Sequence, residues 1–135
     1  MCGIAGIFAY LDVAPRVDRA ELGRMNDRMA ARGPDGKRQW VGADERIGLA
    51  HRRLAIIDLS EGGAQPKHSA DGRLTITFNG EIYNYRELRA ELQAKGYRFE
   101  SESDTEVLLQ LYADCGPAMV GRLRGMFAFG LWDAR

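Results

Sequence analysis

The chain is poor in cysteine, histidine and net charge, and each shortage argues against a class of function. Its 135 residues contain two cysteines and two histidines, and 19 basic residues balance 19 acidic ones. Because the net charge is zero, nothing favours a nucleic-acid partner or an anionic membrane surface, and we expect neither. His51 and His68 fit no metal-ligand spacing, so we expect no metal site and no cofactor in this segment.

Long hydrophobic runs and a disulfide framework are also missing. The apolar opening stretch, residues 3–13, lacks a basic leader and is much too short to span a bilayer. Cys2 and Cys115 are too few for the disulfide-dense pattern of small secreted proteins, so we interpret Cys115 as a structural or free thiol. Together these shortages predict a reduced, cytoplasmic protein.

The chain has enough apolar residues to form one hydrophobic core, because 45% of its residues are hydrophobic. Alternation and short apolar runs predict strands over residues 3–10, 37–41, 47–58, 74–78 and 126–132, the last buried on both faces. Helical spacing and capping signals predict helices over residues 19–31, 85–95, 103–115 and 117–123. Strands and helices do not alternate regularly, which argues against a parallel doubly wound sheet.

Cys2 is the first residue that carries candidate chemistry. It directly follows Met1, and a residue this small allows an aminopeptidase to remove the methionine. The freed α-amine, with a pKa of about 7.7–8.0, is then partly neutral and can act as general base for the adjacent thiol. A thiol with a pKa of about 8.5 is only a few per cent thiolate at pH 7, so such a base matters. The alternative is that Cys2 is simply a small apolar residue that opens a strand.

Asn79 and Gly80 form a second candidate group at the end of a predicted strand. A side-chain amide and an exposed backbone N–H are the usual donors to an oxyanion, and losing one such donor costs about 10²–10³ in kcat. The alternative for Asn-Gly is a type I′ hairpin turn. The next residues lead into a predicted helix rather than a returning strand, which weakens that alternative without removing it.

Several short segments, in this order along the chain, resemble the N-terminal glutaminase domain of glutamine-hydrolysing asparagine synthetases. That domain is a class II glutamine amidotransferase. The segments are residues 2–8, 32–35, 50–58, 65–66, 79–84, 103–106 and 125–129. The resemblance covers essentially the whole chain.

The resemblance implies an α+β fold of the N-terminal-nucleophile hydrolase type. This is a four-layer αββα sandwich, in which residues 3–10 form a central strand that delivers Cys2 to a cleft at the sheet ends. Residues 1–135 would be an incomplete glutaminase domain, truncated at its C-terminal end after an apolar strand. The Ser-Gly-Gly-x-Asp-Ser loop of a synthetase domain is absent from these residues. That domain, with its ATP and magnesium, is expected elsewhere in the same polypeptide.

The resemblance also implies roles for individual residues. Cys2 would form a γ-glutamyl thioester, with Asn79 and Gly80 as the oxyanion hole. Glutamine would be bound by Arg53, Leu54, Ala55, Ile56, Ile57, Asn79, Gly80, Glu81 and Asp104. Among these, Arg53 would bind the α-carboxylate, and Glu81 and Asp104 would lie near the α-amine.

The residues alone leave plainer alternatives open. Arg53 could be a solvated strand arginine, and Asp104 could serve only as a favourable acid at a helix N-terminus. His51 lies in a family segment, but it is not needed as a base if the α-amine performs that role.

By resemblance, the ammonia released from glutamine would amidate aspartate to asparagine in an ATP-dependent step. The other functions left open are a related amidotransferase with a different acceptor, a non-catalytic glutaminase-like binding fold, and an inert fragment. A homodimer is also compatible with the sequence.

Overall fold

A computed structural model describes residues 2–56 and 61–135, and within them the strands form two three-stranded antiparallel sheets. The first sheet has the order β1-β3-β2, with β1 at Gly3–Phe8, β2 at Gly36–Val41 and β3 at Ile47–Arg53. The second has the order β4-β5-β6, with β4 at Lys67–His68, β5 at Leu74–Ile82 and β6 at Gly125–Asp133.

Three α-helices cover the outer faces of the sheets: α1 at Arg19–Arg28, α2 at Tyr85–Ala94 and α3 at Asp104–Cys115. Short 3₁₀ turns occupy Ala30–Arg32, Glu61–Gly63 and Gly116–Arg122. Helix α1 packs on the first sheet, whereas α2 and α3 share a core with β5. The two sheets contact each other between these helical layers, so the expected four-layer αββα sandwich is confirmed. Within the described ranges, no helix has the length and apolarity needed to cross a bilayer.

Successive side chains of β3 point alternately toward α1 and toward the second sheet. Gly48 lies against Val17 and Leu22 on the α1 side. Leu49 points the other way, toward Gly130 of β6. Successive residues of a strand face opposite sides of the sheet, so β3 carries residues of both cores.

Strand β5 is buried on both faces along most of its length. Leu74, Ile76 and Phe78 belong to the core shared with α2 and α3, and full burial of such a side chain contributes about 1.5–3 kcal/mol. Thr75 and Thr77 are also buried. Two hydroxyl side chains on the other face of a fully buried strand require hydrogen-bond partners.

Two hydrogen bonds join the facing sides of the sheets. The Thr77 hydroxyl donates to the Ala50 carbonyl at 3.1 Å. His51 Nε2 donates to the Phe78 carbonyl at 3.1 Å, since a carbonyl can only accept. Burial lowers the pKa of His51 to about 4, with a further contribution from the positive charge of Arg53 and an opposing one from the Phe78 carbonyl. His51 is therefore neutral near pH 7.

The surroundings of two strands differ from the sequence-based prediction. Among the described strands, β1 is an edge of its sheet rather than a central strand, because β3 pairs with β1 on one side and with β2 on the other. Strand β6 is not buried on both faces. It pairs only with β5 among the described strands, and Met126 is 70% exposed.

Strand β3 ends at Arg53, earlier than predicted, while β5 continues past residue 78 to Ile82. The hairpin alternative for Asn79-Gly80 is therefore wrong, since both residues are paired with β6. Glycine makes this possible. Gly80 has φ +148°, and a Cβ there would lie 2.2 Å from the Met126 carbonyl oxygen. Gly125, opposite Ile82, has φ +150°, and a Cβ there would lie 2.0 Å from the Glu81 carbonyl oxygen.

Replacing Gly125 with alanine should destabilise the protein. The new Cβ combines an unfavourable φ with a backbone clash, and each effect costs about 1–3 kcal/mol. Gly121→Ala is the matched control, because nothing lies within 4 Å of a Cβ at that position. We expect urea unfolding to show a loss of at least about 2 kcal/mol for Gly125→Ala and little change for Gly121→Ala. Equal midpoints for the two variants would contradict the close β5–β6 approach.

The lowered pKa of His51 predicts a specific acid sensitivity. Between pH 6.5 and 4 the unfolded chain takes up a proton that the folded protein does not, so the free energy of unfolding falls as the pH falls. The full loss is about 3 kcal/mol, at roughly 1.36 kcal/mol per pH unit. His51→Gln keeps a donor and removes the titration. Unfolding curves at pH 7 and pH 4 should show a smaller acid loss for this variant than for the wild type.

The titration of Asp104 does not affect the comparison between wild type and His51→Gln. Burial raises its pKa, so its contribution to stability has the opposite sign, decreasing as the pH rises. This contribution is present in wild type and variant alike and cancels in their difference. Identical acid loss in both proteins would show that His51 is not held neutral.

Candidate functional site

A cavity of about 220 Å³ opens where the two sheets end beside the start of α3. It gathers most of the residues that the sequence singled out: Cys2, Arg53, Leu54, Ile56, Asn79, Gly80, Glu81 and Asp104. Its wall also includes His51, Gly63, Gln65, Phe78, Ser103, Thr105 and Met126.

Strand alternation explains why residues from distant parts of the sequence meet here. Phe8 of β1 packs against Trp132 of β6 with ring centroids 5.6 Å apart, so the even residues of β1, extended back to Cys2, face the second sheet. On β3, Arg53 shares a face with His51, which bonds to β5. On β5, Asn79 shares a face with Thr77, which bonds to β3.

The Cys2 thiol lies against the backbone just beyond β3. The Leu54 N–H donates to Cys2 Sγ at 3.3 Å, and Sγ lies 3.6 Å from the Leu54 carbonyl oxygen. Arg32 Nε donates to the Cys2 carbonyl at 3.2 Å. These contacts fix the Cys2 side chain and its backbone beside the end of β3.

The N–H groups of even residues in β5 point away from β6. Phe78 N–H donates to Gln65 Oε1 at 2.6 Å, and Ile82 N–H donates to Asp104 Oδ2 at 3.4 Å. Alternation along an antiparallel strand directs the Gly80 N–H to this same edge, between those two contacts. The Asn79 Oδ1 is buried and has no partner among the described residues. The segment therefore brings an amide side chain and a backbone N–H to the cavity.

Charged groups of both signs line the cavity. Asp104 is 5% exposed, and burial is the main cause that raises its pKa. The negative charge of Glu81 raises it further, while backbone N–H groups of Ile82 and Thr105 oppose the shift. Arg53 is half-buried on the same cavity wall. One guanidinium and two carboxylates at one cavity can hold a small ligand that carries both a carboxylate and an ammonium group.

The predicted helix cap at Ser103 is confirmed and fixes Asp104 at the cavity. Ser103 Oγ accepts from Glu106 N–H at 3.3 Å. The Glu106 carboxylate reaches back to the N–H groups of Glu100 and Ser101 at 2.8 and 2.7 Å. Asp104 thus stands in the first turn of α3 and faces the cavity as well, so the two roles considered for it are compatible.

The Arg-Gly-Pro-Asp segment, residues 32–35, supports the cavity wall in a way that the sequence did not reveal. A Cβ on Gly33 would lie 2.3 Å from the Arg52 carbonyl carbon, so only glycine permits this approach. Asp35 N–H donates to the Arg53 carbonyl at 2.9 Å, and Asp35 Oδ2 accepts from Ala55 N–H at 2.9 Å. In the sequence, this segment was marked by its turn-forming residues and by its place among the resembling segments.

The segment that follows β3 only partly lines the cavity. Leu54 and Ile56 line it, although Ile56 is 72% exposed. Ala55 is not brought to the cavity wall and instead bonds to Asp35. Ile57 lies outside the described residues.

Comparison with known proteins identifies the kind of domain that carries this cavity. The family model described as a glutamine amidotransferase domain matches residues 1–135. The chain is 48% identical over 134 residues to glutamine-hydrolyzing asparagine synthetase 1 of Bacillus subtilis (strain 168), covering 98% of this chain and 21% of that protein. It is 42% identical over 136 residues to glutamine-hydrolyzing asparagine synthetase B of Escherichia coli (strain K12), covering 99% of this chain and 23% of that protein.

A differently named relative shows the same level of similarity. The chain is 42% identical over 141 residues to amidase chry2 of Gibberella zeae, covering 98% of this chain and 21% of that protein. Among these relatives the chain spans about a fifth of the protein it matches.

A solved structure supports the fold. Glutamine phosphoribosylpyrophosphate amidotransferase from B. subtilis, in complex with ADP and GMP, has a TM-score of 0.53 to this chain. The two are 24% identical, and the match covers 64% of this chain and 21% of the other. A family match along the full chain, close relatives and a shared fold agree: the chain belongs to the glutamine amidotransferase domain family.

Proposed function

We propose that this domain hydrolyses glutamine to glutamate and ammonia through a covalent intermediate on Cys2. The observation that carries the proposal is the cavity in which Cys2, Arg53, Asn79, Gly80 and Asp104 meet. A nucleophile, oxyanion donors and charges that suit an amino acid are the groups that amide hydrolysis requires. The family match supplies the substrate class.

Glutamine binds by its amino-acid end in this proposal. The planar guanidinium of Arg53 binds the α-carboxylate, because its fork of N–H donors matches carboxylate geometry. The carboxylates of Asp104 and Glu81 bind the α-ammonium group through charge-assisted hydrogen bonds. Fixing both charged groups leaves the side-chain carboxamide directed toward Cys2.

The first chemical step needs Met1 to be removed. The α-amine of Cys2 then accepts the thiol proton, and the thiolate attacks the carboxamide carbon to form an S–C bond. The negative charge that develops on oxygen is stabilised by the Asn79 side-chain amide and the Gly80 N–H. The Leu54 N–H, 3.3 Å from Sγ, holds the sulfur in place before the attack.

The second step releases ammonia. The protonated α-amine returns its proton to the leaving nitrogen as the C–N bond breaks, which leaves a γ-glutamyl thioester on Cys2. Water, deprotonated by the same amine, attacks the thioester, and the S–C bond breaks to give glutamate. Asn79 and Gly80 stabilise the oxyanion of both tetrahedral intermediates.

The use of the ammonia is a further proposal, because the chain spans about a fifth of its relatives. Two relatives named glutamine-hydrolyzing asparagine synthetases favour ATP-dependent amidation of aspartate in another domain of the same polypeptide. Amidase chry2, which matches nearly as well, favours a second candidate, the same glutaminase domain with another acceptor. The amide products that the full-length polypeptide containing this domain forms from glutamine, ATP, magnesium and a panel of carboxylic acids distinguish the two.

Cys2→Ala should abolish glutamate release and leave glutamine binding largely intact, because Arg53 and Asp104 remain. Cys115→Ala is the matched control, since that thiol bonds to Leu111 within α3 and does not line the cavity. We expect the control to keep wild-type activity. Glutamate release and calorimetric titration with glutamine measure the two effects, and full activity in Cys2→Ala would refute the proposal.

Asp104→Asn should weaken glutamine binding by roughly tenfold to a hundredfold at pH 7, the value of a charged hydrogen bond. Because burial raises the pKa of Asp104, wild-type affinity should fall on acidification as this carboxylate becomes protonated. The variant has no such group, so its affinity should depend less on acidic pH. Titrations between pH 8 and 5 in the Cys2→Ala background test this. Parallel pH dependence in both proteins would exclude Asp104 as the ammonium ligand.

A further inference from the structure

Side chains hold both polar backbone groups of Phe78, immediately before Asn79. Phe78 N–H donates to Gln65 Oε1 at 2.6 Å, and the Phe78 carbonyl accepts from His51 Nε2 at 3.1 Å. The Gln65 amide nitrogen also donates to Thr105 Oγ1 at 3.1 Å, which connects the contact to α3. Both Gln65 and His51 are buried, at 7% and 1% exposure.

The side chains of Gln65 and His51 bond to the edge of β5 where no neighbouring strand pairs with it among the described strands. Strand β4 has two residues and pairs only with Ile76 and Thr75 of β5. Beyond that point the edge of β5 has no ladder partner among the described strands, although Phe78 is buried. An unpaired buried N–H or carbonyl costs about 1–3 kcal/mol, so Gln65 and His51 satisfy groups that would otherwise be unpaired.

The contacts also fix the next two residues. The Phe78 carbonyl and the Asn79 N–H belong to one planar peptide unit, so a bond to that carbonyl sets the orientation of the plane from which Asn79 extends. Gly80 follows directly, and its N–H points to the same edge as that of Phe78. On the other side, Ile82 N–H is held by Asp104.

From this arrangement we infer that Gln65 and His51 are positioning residues, which orient Asn79 and Gly80 as donors to the oxyanion. The inference rests on the proposed glutaminase function and goes beyond it, because neither residue performs chemistry. Gln65 uses both of its side-chain polar atoms on protein partners. His51 uses Nε2 on Phe78. Their effect on the reaction passes through the β5 backbone.

The experiment compares variants that lose the contacts with variants that keep them. Gln65→Met and His51→Phe remove the hydrogen bonds at similar side-chain size. Gln65→Glu and His51→Gln retain an acceptor or a donor in the same place. Thr77→Val is the matched control, because it deletes another sheet-to-sheet hydrogen bond without touching Phe78.

A displaced donor reduces the stabilisation of the transition state more than it reduces the affinity for substrate. A shift of about 1 Å can cost about 10² in rate. We therefore expect kcat per folded molecule to fall at least about tenfold in Gln65→Met and His51→Phe. The glutamine dissociation constant, measured in the Cys2→Ala background, should change by less than about threefold. Gln65→Glu and His51→Gln should recover most of kcat, and Thr77→Val should lose stability but keep kcat.

Amide hydrogen exchange provides a readout independent of turnover. Exchange at the Phe78 N–H, which is bonded to Gln65, should become faster in Gln65→Met and remain slow in Thr77→Val. Wild-type kcat in both loss variants would overturn the positioning role and leave the proposed function intact. A wild-type protein that releases no glutamate would instead overturn the proposed function and, with it, this role.

Discussion

Polar groups buried between the two sheets must find hydrogen-bond partners, and the rest of the molecule depends on how this requirement is met. The inner face of β5 carries threonines, and β3 presents His51 to it. Thr77 bonds to the Ala50 carbonyl and His51 to the Phe78 carbonyl, so the sheets are held in one register. That register brings the ends of β3 and β5 to the same place. The cavity lies where the pairing ends.

The unpaired group at this end is informative. Asn79 Oδ1 is buried without a partner in the described part of the chain, in a structure that satisfies its neighbours. Buried polar groups are usually paired, so an unpaired acceptor at the cavity is available to a donor on a ligand. The same region holds a carboxyl group whose pKa burial raises, at Asp104, and a half-buried arginine at Arg53. A site with a guanidinium, a buried carboxyl group and an amide oxygen that has no partner among the described residues is suited to a polar substrate.

Much of the fold could be predicted because the local signals agreed with the final environment. The alternation of residues 74–78 and the capping signal at the start of α3 each determine a local structure that packing preserved. Asn79-Gly80 is a strong turn signal, yet both residues pair with β6 and the strand continues to Ile82. The position of β1 at an edge depends on which strands pair, and no local pattern encodes that.

The candidate site was predictable only in part for a similar reason. Cys2 has an unusual chemical context in the sequence itself, beside a removable methionine. Arg53 looks like any strand arginine, and its place at the cavity follows from cross-sheet registry. Gln65 lies in a polar connection, where nothing local distinguishes it from a surface residue. Its buried contacts with Phe78 and Thr105 arise only when β5 and α3 come together.

The central claim is that Cys2 forms the covalent intermediate with its own α-amine free. The most direct measurement is mass spectrometry of the protein quenched with acid during glutamine turnover. The account predicts one γ-glutamyl group on a peptide that begins at Cys2, removable by hydroxylamine as expected for a thioester. Glutamate formation from a protein that retains Met1, or with the γ-glutamyl group on another residue, would contradict it.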